Sequence, residues 1–382
     1  MPLKKLRGML LTSFRRRRGL LAAVLVLLFF NVANRIASCY LPPPPRQLYC
    51  EHPRRFWTLN PGWRFDSEIG RWVYINSLGL RGTEPDRVRP DLTVLMLGDS
   101  CTYGSGVRSS FTMERFLEKR LCVLTGKRVR VYNGGCPGYS SYQGLDLLRQ
   151  VGPRIHPDIV VIAYMYGDCF HDVMEDCQRL GGALGGMLRT WLWKSSLYCW
   201  LRARFRPAGD GFVSLACHHS KGQVPRCSIT EYAHNLRAIA RLSRSFGATR
   251  LIFLRLPQRD VGPPSRGHDP HAPTPAQLRL GPIPPGTDRA DLLRSVNPIH
   301  AVLSSYSSVL MRIGEQDGLA LDGQIMWRAR KDRASLFWDR LHFDATGCAV
   351  FADDLARVMV WEKMVPLRSD VVPRKTGTPW PS

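Results

Sequence analysis

The sequence predicts an α/β protein, a three-layer sandwich around a mostly parallel central sheet, preceded by one N-terminal transmembrane helix. Three observations carry this expectation. Short apolar runs of buried-strand type alternate with segments of helical periodicity along most of the chain. The first two runs end in glycine turns, at Gly98 and at Asn133-Gly134-Gly135, and helical segments follow them. A four-arginine run, Arg15 to Arg18, stands immediately ahead of an apolar stretch.

Residues 1–18 are a basic segment. The first 50 residues hold nine basic side chains and no acid. The apolar stretch is unbroken from Gly19 to Phe30 and continues to Leu41 through Asn31, Asn34 and Arg35. Counted as 19–41 it reaches the roughly 20 residues that a bilayer span needs. Basic residues before the stretch and their scarcity after it set the N terminus inside and the rest outside. The expected form is an uncleaved signal anchor. A signal peptide cleaved near Ala37-Ser38 and lipidation at Cys39, which ends the box-like Ile36-Ala37-Ser38-Cys39, are the alternatives. Pro42 to Pro45 form a stiff spacer, so 42–74 reads as a Pro-rich linker and lead-in, with folded structure beginning near 47.

Four strands are expected, at Leu92–Leu97, Arg128–Tyr132, Asp158–Tyr164 and Arg250–Leu256, with Leu319–Asp322 continuing the alternation. Helices are expected over Phe111–Val123, Ser140–Val151, Thr230–Phe246, Val296–Gly314 and Ala345–Val360. Together they make a domain over 75–365, followed by a tail at 366–382. Two stretches break the alternation. Residues 178–229 contain Trp191, Trp193 and Trp200 among arginines and glycines and read as an insertion. Residues 257–294 are rich in proline and read as a long loop over the carboxyl edge of the sheet, where binding sites form.

The chain carries 54 basic and 31 acidic side chains, a net charge of +23, which raises the question of nucleic acid. Only nine of the basic residues are lysine, the arginines beyond residue 50 are scattered, and no nucleic-acid-binding motif is apparent, so no nucleic-acid partner is expected. The eleven cysteines contain no C-x-x-C pair and no zinc spacing; Cys217 with Cys227 is the best local disulfide candidate. His218 and His219 read as a surface pair rather than a metal site, and no metal or organic cofactor is expected.

Chemistry enters with Gly98-Asp99-Ser100. A strand, a tight turn and a helix present a serine at the top of a sheet, with its backbone N–H at a positive helix terminus. A serine hydroxyl needs a base to take its proton. Asp339-Arg340-Leu341-His342 offers one, because a spacing of three places a carboxylate where it can orient the imidazole. Asp99 reads as a cap of the turn, Asp344 as the cap of the last helix, and Asp168 as a brace.

In this order, inside an α/β pattern, these motifs resemble the SGNH (GDSL-like) hydrolase superfamily, whose flavodoxin-like sandwich the resemblance implies here. Gly98 to Gly104 is similar to its first block. Asn133 to Ser140 is similar to the second, whose last glycine, here Gly138, is implied to lend a backbone N–H to the oxyanion hole beside that of Ser100. Asp339 to Gly347 is similar to the fifth. Asn76 to Gly82 looks like the lead-in of membrane-anchored bacterial members. The third block departs: where the family has an asparagine whose amide completes the hole, the chain has Gly167, followed by Asp168. Loss of one such donor costs about 10²–10³-fold in rate. Cys169 and His171 are the neighbouring substitutes. The resemblance implies a membrane-anchored serine esterase outside the cytoplasm. Ser100 would be its nucleophile, His342 its base and Asp339 the orienting acid, acting on a small acyl ester, an acylated glycan or a lipid. The rivals are an O-acyltransferase for cell-envelope polysaccharide and a binding protein on a weakened hydrolase fold.

Overall fold

The structure, a computed structural model, describes residues 48–66, 71–172, 174–180, 182–193, 195–205, 224–259 and 298–366, with scattered positions between 21 and 40. The basic segment 1–18, the Pro42–Pro45 spacer, Cys217, His218, His219, most of the 257–294 loop and the tail beyond 366 lie outside the described residues. The chain divides into two compact units, Met1–Pro45 with Ala183–Gly209, and Arg46–Gly182 with Asp210–Ser382.

The larger unit is built on five parallel strands: β1 (Leu92–Gly98), β2 (Val129–Gly135), β3 (Ile159–Ala163), β4 (Arg250–Arg255) and β5 (Leu319–Asp322). Their order across the sheet is β5-β4-β3-β1-β2, with every neighbouring pair parallel. The order reverses between β1 and β3, a topological switch point of the kind at which open α/β sheets bind ligands. β1, β2 and β3 are buried along their whole length. The largely apolar runs of β1 and β3 reflect cover on both faces rather than one.

The helices, in chain order, are α1 (Ser100–Tyr103), α2 (Met113–Thr125), α3 (Ser141–Ile155), α4 (Tyr166–Cys169), α5 (Gly182–Leu192), α6 (Ser196–Phe205), α7 (Ile229–Ser245), α8 (Pro298–Asp317), α9 (Gly323–Met326) and α10 (Ala345–Trp361). One layer pairs α2 with α10; the other joins α3 to α7 and α7 to α8. α3 runs beyond its expected end with Pro153 inside it, and it stops at His156, whose φ is +47°. Asp344 caps α10, its Oδ1 accepting the Gly347 N–H at 2.7 Å. Cys227 is a buried free thiol.

The structure adds detail at two places. The lead-in is more structured than its composition suggested: Tyr49–His52 and Phe56–Leu59 form an antiparallel hairpin. Leu48, Trp57 and Leu59 enter the core, each contributing about 1.5–3 kcal/mol by burial. The membrane helix expected over 19–41 is described only in part. The described positions between 21 and 40 are helical, but among the described residues no helix is long and apolar enough to cross a membrane. Asn31, Asn34 and Arg35 dilute the apolar character of that stretch.

Candidate active site

β1 ends at Gly98 and the chain turns at once into α1, with Asp99 as its cap. The Asp99 Oδ1 accepts the Cys101 N–H at 2.9 Å. Asp99 is buried, which pushes its carboxyl above the usual carboxylate range, while the backbone N–H groups of Cys101 and Gly167 and the charge of His342 pull it back. It holds the turn. Buried Arg81, from the lead-in motif, fixes the far end of α1 by donating to the carbonyls of Tyr103 at 2.9 Å and Gly104 at 2.8 Å.

Ser100 thus reaches the C-terminal end of the sheet, and the segment after α9 brings the other two side chains to it. Ser100 Oγ lies 2.8 Å from His342 Nε2, and His342 Nδ1 lies 2.6 Å from Asp339 Oδ2. A carboxylate only accepts, so Nδ1 carries the proton and Nε2 is left as an acceptor for the serine hydroxyl. The other carboxylate oxygen, Asp339 Oδ1, accepts the backbone N–H groups of Leu341 and His342, each at 2.7 Å. Partial burial works to raise the Asp339 pKa, but the hydrogen bonds and charge of His342 and the Leu341 N–H hold it below the ordinary value. Trp338 stacks on the imidazole at 5.5 Å and 19°, with its indole N–H bonded to the Ser105 carbonyl at 2.9 Å.

The opposite wall is the turn after β2. Gly138 has φ +73°, a conformation that glycine adopts without strain. Among the described residues, the backbone N–H groups of Ser100 and Gly138 donate to no protein acceptor, which leaves both for a ligand. The turn is tied to β1 by the Cys136 N–H on the Gly98 carbonyl at 3.2 Å. The lead-in hairpin clamps it too: Trp57 Nε1 donates to the Pro137 carbonyl at 3.1 Å, and Tyr139 Oη donates to the Trp57 carbonyl at 2.9 Å. A third support is Arg226. This buried guanidinium donates to the Gly138 carbonyl, pairs with Asp176 at 2.7 Å and reaches Gln143 at 2.5 Å.

Gly167 lies on this wall, and the structure gives its departure from the family pattern a physical reason. A Cβ built there would stand 1.9 Å from the Tyr139 carbonyl oxygen and 2.6 Å from its carbon. The backbone of the Gly138 turn occupies the space an asparagine side chain would need. Asp168 Oδ1 accepts the Ser141 N–H at 2.8 Å and its hydroxyl at 2.5 Å, joining α4 to the start of α3. Burial pushes its carboxyl up to about 7 against those hydrogen bonds. Cys169 is buried, and its thiol donates to the Tyr166 carbonyl at 3.2 Å; the His171 side chain lies outside the described residues. Among the described residues no group of three His, Cys, Asp or Glu side chains is arranged to hold a metal.

A serine hydroxyl, an imidazole and a carboxylate in one hydrogen-bonded line, beside two unpaired backbone donors, have the geometry that acyl transfer requires. The GDSL-like lipase/acylhydrolase family model matches residues 96–350, about two thirds of the chain. The chain belongs to this family. No curated protein matches it. Among solved structures it is similar to a lipase/acylhydrolase from Enterococcus faecalis, at 15% identity over 74% of this chain and 100% of that one, TM-score 0.41. An acetylxylan esterase from Geobacillus stearothermophilus matches at 15% identity over 74% and 100%, TM-score 0.39. An α/β hydrolase from the metagenome of Lake Arreo matches at 14% identity over 72% and 97%, TM-score 0.40. The family assignment rests on the match over 96–350.

Ser100, His342, Asp339 and Gly138 converge, while Asp99, Gly167 and Asp168 surround them as supports. Arg226, Asp176, Trp57 and Trp338 were not foreseen. Asp176 stands just ahead of the insertion and Arg226 near its end, and their joint meaning depends on a contact across 50 residues. Trp338, directly before Asp339, carried a local signal as an aromatic beside a proposed triad member.

Proposed function

We propose that the protein is a serine esterase of the GDSL-like family, anchored by its N-terminal helix with the catalytic domain outside the cytoplasm. The hydrogen-bonded line from Ser100 through His342 to Asp339 carries the reading. Ser100 Oγ attacks the ester carbonyl carbon as His342 Nε2 takes its proton. The carbonyl oxygen becomes an oxyanion facing the N–H groups of Ser100 and Gly138. Collapse of the intermediate breaks the bond to the alcohol oxygen, which receives the proton from His342, and the acyl group stays on Ser100. Water then repeats the sequence, losing a proton to His342 and releasing the acid. Asp339 supports the imidazolium throughout.

Two backbone donors serve the oxyanion, because the Gly167 position admits no side chain. An acylated glycan is the substrate class favoured, since Trp338 is 51% exposed and rigidly held beside His342, a surface on which a sugar ring can stack. That observation also favours, as a second reading, transfer of the acyl group to a glycan hydroxyl instead of water. The test is hydrolysis of p-nitrophenyl acetate and of an acetylated xylan by the full-length protein. The expected rate exceeds that of Ser100→Ala by about 10⁴-fold or more, and equal rates reject the hydrolase reading. Acetyl appearing on an acceptor glycan faster than in water selects the second.

A further inference from the structure

Ester hydrolysis leaves the insertion without a role, and the smaller unit supplies one. The described residues between 21 and 40 form a helix with two unlike faces. Leu21, Leu25, Leu28, Phe29, Val32 and Ile36 recur at three- and four-residue spacing and are all exposed, Phe29 by 75%. On the other face Ala37 is buried and Ala33 half-buried, and the side-chain oxygen of Asn34 accepts the backbone N–H of Leu197, in the first turn of α6, at 3.3 Å. Small residues joined by a hydrogen-bonding amide are a recurrent way for helices to associate in apolar surroundings. Asn34, which interrupts the apolar stretch as a sequence, is satisfied by protein.

α5 and α6 add apolar surface of their own. Met187, Leu188, Trp191 and Leu201 are exposed, Met187 by 67%. Residues 182–205 contain Arg189, Lys194, Arg202 and Arg204 and no acid. Trp193 lies between two of these charges, with Arg189 at 5.0 Å and Arg202 at 4.8 Å from its ring. Exposed aliphatic side chains, an exposed indole and arginines on short helices match the chemistry of a headgroup layer, where rings sit at the boundary and guanidinium groups reach phosphates. Helices of 11 and 10 residues are about 15 Å long, half the roughly 30 Å of a hydrocarbon core, so they lie in the interface rather than cross it.

We propose that α5 and α6 form an interfacial hairpin that packs on the helix at 21–40 and embeds in the headgroup layer of an anionic bilayer, making the insertion a second membrane contact. This rests on the membrane part of the function proposed above. The test reconstitutes the full-length protein in phosphatidylcholine–phosphatidylglycerol vesicles carrying a diazirine on the acyl chain near the glycerol, and maps photoadducts by mass spectrometry. Adduct yield in 182–205 is expected to be within about threefold of that in 21–40. Adducts confined to 21–40 would overturn the hairpin and leave the anchor standing; adducts in neither segment overturn both. In the same vesicles Met187→Glu with Leu188→Glu, both at exposed positions, should lower the yield in 182–205 about tenfold without changing that in 21–40 or the hydrolysis of p-nitrophenyl acetate. An unchanged yield in 182–205 counts against the proposal.

Discussion

The two walls of the site are held in different ways. Each half of the Ser100–His342–Asp339 wall is shaped by local geometry, a cap two residues long at Asp99 and a turn of three between Asp339 and His342 whose backbone N–H groups bind the carboxylate they position, and the two halves meet across 242 residues. The Gly138–Gly167 wall has no such self-sufficiency. Its turn is fixed by Trp57 from 80 residues upstream and Arg226 from 88 residues downstream, and a glycine lets another backbone pass close beneath it. A site assembled this way keeps its nucleophile when remote contacts fail but loses the place where negative charge develops. Damage to the first wall should therefore appear as lost chemistry with the fold intact. Damage to the second should lower stability and rate together.

The largest effect falls on the local wall. Asp339→Asn removes the acceptor that fixes the imidazole tautomer, and kcat should drop about 10⁴-fold with the melting temperature nearly unchanged. Arg226→Met comes next. It strips the buried cation from Asp176, which keeps the Ser140 hydroxyl and Arg179, and the donor from the Gly138 carbonyl, and a loss of about 3 kcal/mol in denaturant unfolding is expected, with a fall in kcat. If kcat falls with stability intact, the remote wall is not held as described. Gly167→Asn sharpens the contrast further. Restoring the residue usual in the family should not restore a donor, because the side chain meets the Tyr139 carbonyl; a destabilisation of about 3 kcal/mol and a lower kcat are expected. A rise in kcat for that variant would show the position to be open.

The smallest effect is read from pH. Folding raises the Asp168 pKa from 3.8 to about 7. The native state then binds more protons than the unfolded chain between those values, and stability falls as pH rises through the window. Between pH 5 and 7 the loss is about 2 kcal/mol. Asp168→Asn should flatten that part of the stability profile measured by urea unfolding, whereas a profile still falling by the wild-type amount would assign the decline to another group.

The same contrast explains what the sequence made legible. β1, β3 and the centre of β4 stood out because burial on both faces writes itself as a nearly unbroken apolar run, and β2, which carries Arg130, was marked by the glycine turn that ends it. Asp99 and Asp344 were readable as caps because a cap acts within three residues. The triad was readable because His342 and Asp339 are neighbours and the Ser100 turn has one geometry. The hairpin at 49–59 was not, since its burial depends on Trp57 and Leu59 meeting a core assembled from later residues. Gly167 looked like a missing donor in one dimension; only the fold shows the Tyr139 carbonyl lying against it. Asp176 and Arg226 look like ordinary charges of an arginine-rich chain until the fold pairs them across 50 residues.

The central claim is that Ser100 is an activated nucleophile in spite of the glycine at 167. Reaction of the full-length protein with a fluorophosphonate probe, located by peptide mapping, tests it most directly. The account predicts modification at Ser100 that is lost in His342→Ala and not accelerated in Gly167→Asn. An unmodified Ser100 in folded protein would contradict it and leave a binding protein on a hydrolase fold.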